Sequence, residues 1–154
     1  LFAKHGLFDM TVKATGDIDV DIHHVNEDVA LCLGDAFKKA VGAKTGITRY
    51  GFFYVAMDDA LVRVVLDLSN RPYFSLTGVR RAQKKRSEYS YVDMEHFFHS
   101  FAYRCGMNVH VDVLRGKDQH HVMEACFKAC ARALDMATMR DKRVKGVPST
   151  KGML

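Results

Sequence analysis

Two segments of this chain, HHVNEDVALCLGDAF (23–37) and HHVMEACFKACARAL (120–134), begin with adjacent histidines, carry a glutamate four places after the first, and continue with apolar residues at helical spacing. On a helix, His23 and Glu27 share a face, and so do His120 and Glu124, whereas His24 and His121 point about 100° away. Each motif therefore offers a His/Glu pair on one side and a second imidazole on another, so one helix can serve two ions. Imidazole with carboxylate suits a borderline divalent cation such as Mn, Fe, Co, Ni or Zn. One copy alone is equally well explained as an exposed polar first turn; two copies in matched positions favour metal. His96, 24 residues before His120, joins this ligand set. His5, His99 and His110 show no such pattern and read as structural or exposed.

The surroundings of the two motifs also match. FDMTVKA (8–14) alternates and predicts a strand before the first motif; MNVHVDVL (107–114) alternates and predicts a strand before the second. Helices are expected over 25–42, 92–106 and 120–139, the first two ending in glycine, and further strands over 50–57 and 61–69. The pattern suggests an internal duplication with a shortened first copy (1–45) and a second copy over about 46–154, within a single domain. The start in mid-pattern, LFAKHGLFDM, suggests that an N-terminal segment is missing. The tail DKRVKGVPSTKGML has loop chemistry.

The net charge of +5 fits an anionic ligand such as a phosphate and permits nucleic acid without requiring it. RRAQKKR (80–86) reads as a solvated loop, since no stacking aromatics are interleaved with it. Lys128 lies four residues after Glu124, along the proposed metal face. Arg49 in GITRYG, Arg71 in DLSNRP, and Ser149 and Lys151 in PSTKG are donors suited to a phosphate. Cys32, Cys126 and Cys130 fall in apolar helical patterns and are expected in the core, with Cys105 unpaired by any CxxC motif; this favours a reducing compartment. No run of about 18 apolar residues is present.

Taken together, HGLFDMTVKATGD (5–17), DIHHVNEDVALCLG (21–34), GITRYG (46–51), MDDAL (57–61), DLSNRP (67–72), HHVMEACFKACARAL (120–134) and VPSTKG (147–152) resemble the imidazoleglycerol-phosphate dehydratase family of histidine biosynthesis. The resemblance implies an α+β fold, a duplicated two-layer sandwich of sheets and helices like ribosomal protein S5 domain 2. It implies a lyase that removes water from imidazole glycerol phosphate to give imidazole acetol phosphate. It further implies two Mn2+ ions per active site, sites at subunit interfaces and a homo-oligomer of 24 subunits, with no nucleic-acid or membrane partner. One ion would take His23, Glu27, His96 and His120. The other would take His24, His121, Glu124 and a histidine of the family's LDHM motif. Arg49, Arg71, Lys128, Ser149 and Lys151 would hold the phosphate, and Glu124 or Glu27 would carry protons. The location would be cytoplasmic, or plastid in a plant or alga.

The chain departs from the family pattern by having no LDHM motif, which leaves one ligand unsupplied and an inactive fragment expected. Asn70 replaces a glycine, Ala56 a proline and Asp118 an asparagine, all expected to be tolerated. Two other readings stand beside this one: a metallo-hydrolase acting through bound water, and a basic RNA-binding module, which would show salt-dependent RNA binding and no metal.

Overall fold

Eight apolar residues of the last helix, Val122, Ala125, Cys126, Ala129, Cys130, Ala133, Leu134 and Ala137, recur at helical spacing and are all fully buried. In the computed structural model, which describes residues 1–79, 89–152 and 154, this helix is α4 (Gln119–Thr138) and lies across one face of a sheet. The strands are β1 (Tyr50–Met57), β2 (Ala60–Asp67), β3 (Tyr73–Thr77) and β4 (Asn108–Arg115). Their spatial order is β1-β2-β4-β3, antiparallel except for the parallel β3–β4 pair. Alternation then decides the faces: Val62, Val64 and Leu66 of β2 and Val109 and Val111 of β4 point into the core. On the opposite face Tyr50, Phe52, Tyr54, Val65 and Leu114 are exposed.

Helix α3 (Tyr91–Cys105) covers the β3 side of the same face, and its Phe98 and Phe101 are fully buried. A capping box starts it: Ser90 and Asp93 satisfy one another's end of the first turn. A further layer consists of α2 (His23–Val41) on α3 and the short α1 (Phe2–Gly6) on α4. The architecture is α+β, with the sheet on one side and helices on the other.

Close approach between layers depends on small residues. A Cβ on Gly51 of β1 would lie 1.9 Å from the Ala133 carbonyl oxygen, so α4 rests with its backbone against the strand. The alanines and cysteines of α4 permit the same proximity along its length. Two hydrogen bonds fix the far end of α4 to the segment before β1: Thr48 N to Met139 O at 2.9 Å and Arg49 N to Ala137 O at 2.9 Å.

Two expectations need correction. Residues 8–14 form no strand; Met10 and Val12 are exposed, and the segment borders a cleft beside α2. Alternation provides an apolar face, but a strand also needs a hydrogen-bonded neighbour, and none of the described strands pairs with this segment. Cys32 is exposed, because α2 buries only Ala30 and Gly34 fully and Cys32 faces the same cleft. Cys105, Cys126 and Cys130 are buried free thiols, with burial pushing the first two up to about 12 and the third also upward. Strand β3 and helix α1 were not anticipated at all. The basic run at 80–86 lies outside the described residues. Among the described residues no helix is long and apolar enough to cross a membrane.

Gly51→Ala tests the seating of α4. It is expected to lower stability by about 1–3 kcal/mol, seen as a lower urea midpoint at unchanged m value. An unchanged midpoint would mean that α4 is free to retreat from β1.

Candidate active site

The first turns of α2 and α4 are built alike. In both, an aspartate two residues before the histidine pair accepts the backbone N–H of the first histidine: Asp21 from His23 at 3.0 Å, and Asp118 from His120 at 2.8 Å. Asp118 also accepts from His121 N at 3.1 Å and is the N-cap of α4, where a carboxylate meets the positive end of the helix dipole. The shared pattern is thus D-x-H-H-V-x-E, with the aspartate setting the backbone from which both imidazoles project.

Hydrogen bonds gather these turns at one end of the molecule. Asn26 of α2 donates to Asp93 O at 2.8 Å and accepts from the Tyr89 hydroxyl at 3.1 Å; Gln119 of α4 donates to Tyr89 O at 3.1 Å. His96 of α3 meets His23 ring to ring, with Nδ1 atoms 3.1 Å apart, and His23 Nε2 is 3.8 Å from Glu27. His23, Glu27 and His96 line one open cleft with Glu95 and His99.

His24 projects elsewhere, into the cleft bordered by Asp21 and Asp28. His120, 75% exposed, stands 3.2 Å from Glu124, whose other oxygen is 2.7 Å from Lys128. That lysine, before any other influence, holds the Glu124 carboxyl below its ordinary pKa. His5, on α1, is near this pair; burial first and the Lys128 charge second lower its pKa, so it is neutral at pH 7.

His121 is held by the β1–β2 turn. Its Nδ1 lies 2.9 Å from Asp59, and its Nε2 lies 3.4 Å from Asp58. Asp59 also accepts from Lys117 N at 2.5 Å and Asp118 N at 3.2 Å. The His121 contact, reinforced by these two amides, holds the Asp59 carboxyl at about 2, and the same contact raises the His121 pKa.

A second cluster occupies the opposite end of the sheet. Arg49 gives Asp67 two parallel hydrogen bonds, at 2.6 and 3.0 Å, and donates a third to Pro148 O at 2.8 Å. Arg71 is exposed, with one terminal nitrogen 3.9 Å from Asp67. Ser149 and Lys151 follow Pro148 in the same loop, where Ser149 Oγ accepts from Lys151 N at 3.2 Å. Lys128 is not part of this cluster. Its amine points toward Met57, 3.7 Å away at the far end of β1, and about 14 Å of helix separates its backbone from Ala137, which receives the Arg49 N–H.

A model of the family described as imidazoleglycerol-phosphate dehydratase matches residues 1–134. The imidazoleglycerol-phosphate dehydratase of Geobacillus kaustophilus is 54% identical over 155 residues, covering 100% of this chain and 78% of the relative. That of Trichlorobacter lovleyi is 49% identical, again over 100% of the chain and 78% of the relative. The chain belongs to the imidazoleglycerol-phosphate dehydratase family. Its fold agrees with solved members. The Staphylococcus aureus structure superimposes with a TM-score of 0.82 at 34% identity, over 91% of this chain and 78% of that one. The Pyrococcus furiosus structure gives 0.79 at 30%, over 99% and 81%.

Against the ligand sets expected from the family resemblance, the structure gathers His23, Glu27 and His96 but brings His120 to Glu124 and Lys128 instead. His24 and His121 lie in different settings. Among the described residues, no three His, Cys, Asp or Glu side chains form a group able to hold an ion within one chain. The donors present nonetheless fit a divalent ion in kind: imidazole nitrogens beside carboxylates, on exposed turns.

The family departures have local explanations. Asn70 has φ 55°, a left-handed conformation that glycine and asparagine both accept, and its side chain adds an acceptor for the buried Lys44 amine at 2.7 Å. Ala56 lies on the edge strand β1, where a proline is tolerated. Asp118 caps α4 as described. Asp21, Asp59 and Asp67 were not singled out from the sequence. The repeated D-x-H-H spacing was a legible signal for Asp21; nothing local marked the other two.

Asp59 makes the pH dependence of this corner testable. Its folded pKa is depressed, so its contribution to stability is complete above the ordinary value of 3.8 and is lost as pH falls toward about 2. His121 has the opposite sign: its ion pair with Asp59 contributes fully below 6.5 and is lost as pH rises through the elevated folded pKa. In Asp59→Asn, an NMR titration of the metal-free protein is expected to show the His121 pKa falling back toward 6.5. An unmoved titration would rule out Asp59 as its cause.

Proposed function

We propose that this chain, once supplied with the histidine of the LDHM motif it lacks, catalyses the metal-dependent dehydration of imidazole glycerol phosphate to imidazole acetol phosphate in histidine biosynthesis, as a subunit of a self-assembled homo-oligomer. The observation that carries the proposal is the pair of D-x-H-H-V-x-E turns at one end of the fold, in a chain that matches the family over most of its length. The metal is Mn2+, two ions per site, one taking His23, Glu27, His96 and His120 and the other His24, His121, Glu124 and the LDHM histidine, with the ligands of each ion drawn from more than one subunit. When bound, the ions supply Lewis acidity and a template for the imidazole ring.

The chemical balance defines what the protein must do. The hydroxyl on C3′, next to the ring, leaves as water with the proton from C2′, and the resulting enol becomes a ketone by protonation at C3′ and loss of the proton from the C2′ hydroxyl. No carbonyl acidifies the C2′ hydrogen, so a positioned base is needed. Glu124 meets that need best in this chain. Glu124 is on the metal-facing side of α4 beside His120, and the first turn of that helix is fixed by Asp118. Glu27 is the equivalent group on α2.

Arg49, Arg71, Ser149, Lys151 and Lys128 form the phosphate-binding set. Because Lys128 and the arginine cluster stand at opposite ends of β1, about 23 Å of strand, they meet on one phosphate only when two copies contribute. The substrate, a ring and three carbons ending in a phosphate, is too short to span one chain. This supports sites shared between subunits, the 24-subunit assembly being the form expected of the family. The same geometry disfavours an RNA-binding module, since Arg49 and Lys128, tied to Asp67 and Glu124, stand at opposite ends of the fold and not along one groove.

Chelator treatment of the assembled protein is expected to abolish dehydration, and Mn2+ to restore it; activity that survives complete metal removal would sink the mechanism. His120→Ala should reduce bound metal, measured by elemental analysis. Lys128→Ala should raise KM by about 10- to 100-fold, the loss of one charged hydrogen bond.

A further inference from the structure

The phosphate cluster contains an acid that its cations do not obviously require. Asp67 closes β2 with a side chain 21% exposed, and each of its oxygens is used. Oδ1 accepts Arg49 Nε at 2.6 Å, Oδ2 accepts Arg49 Nη2 at 3.0 Å, and Oδ2 also lies 3.9 Å from Arg71 Nη2. The two arginines differ sharply. The Arg49 side chain is 10% exposed and that of Arg71 70% exposed, so one is built into the fold and the other extends into solvent from its ion pair with Asp67.

The third Arg49 donor goes to Pro148 O. Among the described residues, this is the one hydrogen bond that joins Pro148–Gly152 to the body of the domain; the others within that segment are internal or reach only to Val147. The loop is also held just upstream, by Gly46 N to Gly146 O at 2.8 Å, but from Pro148 onward the hydrogen-bonded tie of Ser149 and Lys151 to the body runs through Arg49, and Arg49 is placed by Asp67. A carboxylate weakens the local positive potential. It also removes the freedom of a long, flexible guanidinium before any ligand arrives, and a planar fork matched by two oxygens retains that order.

We propose that Asp67 is the positioning residue of the phosphate subsite, orienting Arg49 directly, Arg71 by ion pairing, and Ser149 and Lys151 through the Arg49–Pro148 contact. The inference rests on the phosphate reading given above. Asp67 touches no substrate in this scheme; it sets the geometry of the groups that do.

The test is Asp67→Asn in the assembled protein, with inorganic phosphate as the probe. The KM for substrate and the Ki of phosphate are each expected to rise about tenfold with kcat within about threefold of wild type. Lys151→Ala should cost less in the Asp67→Asn background than in wild type, because the lysine is already misplaced there. A kcat loss at unchanged KM, or an equal Lys151→Ala penalty in both backgrounds, overturns the positioning role. If phosphate does not compete in wild type at all, the phosphate reading itself fails; if it competes equally in both proteins, only the role of Asp67 fails. Should Asp67→Asn not fold, Asp67→Glu keeps the charge and moves the carboxylate by one methylene. A few-fold rise in KM at constant kcat is expected from it, and a wild-type KM and phosphate Ki refute the proposal.

Discussion

The contact on which the rest of the molecule depends is the seating of α4 against β1. Only a glycine at position 51 permits the Ala133 carbonyl to lie where it does, and the alanine and cysteine face of α4 maintains that proximity along the sheet. The helix carries His120, His121, Glu124 and Lys128 near its start, and its C-terminal end is hydrogen-bonded to the residues that lead into Arg49. One packing decision therefore sets the distance between the histidine end and the arginine end. A bulkier helix face would lift α4 from the sheet and move both ends together.

This rigid spacing explains why the site is divided. The parallel helices α2, α3 and α4 bring their first turns to one end, tied by Asn26, Tyr89 and Gln119, so the repeated motifs become neighbours. They do not become one cluster. The imidazoles leave each turn in two directions, as the helical spacing requires, and so each finds a different environment. His23 meets His96, His24 faces the outer cleft, His120 approaches Glu124, and His121 is taken by the Asp58–Asp59 turn. A turn whose ligands diverge is poorly suited to closing around one ion by itself, and well suited to joining two surfaces.

Much of this was readable from the sequence because it is local. Helices α2, α3 and α4 and strands β1, β2 and β4 all have strong periodicity, and each formed within a residue or two of its expected bounds. Residues 8–14 had the alternation of a strand without a partner, and pairing is a property of two segments. Strand β3 was missed for the converse reason: YFSLT has little alternation, half-buried through its middle, and its parallel partner β4 lies beyond α3 in the chain. Helix α1 is too short for periodicity to register, and it persists by packing on α4. At the site, the His/Glu pairs were visible because their partners are four residues away. Asp59 and His121 are 62 residues apart, and Arg49 and Pro148 are 99, so no local pattern could reveal them.

Strand β2 links the two ends through its termini. Asp59 immediately precedes it and Asp67 closes it, while Val62, Val64 and Leu66 between them are buried in the core. Each aspartate takes its hydrogen bonds from the functional groups at its own end: Asp59 from His121 and the amides before α4, and Asp67 from Arg49 with Arg71 alongside. A buried strand between two neighbours is among the least deformable elements of such a sheet. Fixing both carboxylates to it transfers that stiffness to side chains that are themselves long and exposed. On this view the acids at the ends of β2 do not compete with the cationic and imidazole groups for ligands. They convert the rigidity of the core into fixed geometry at both ends of the strand.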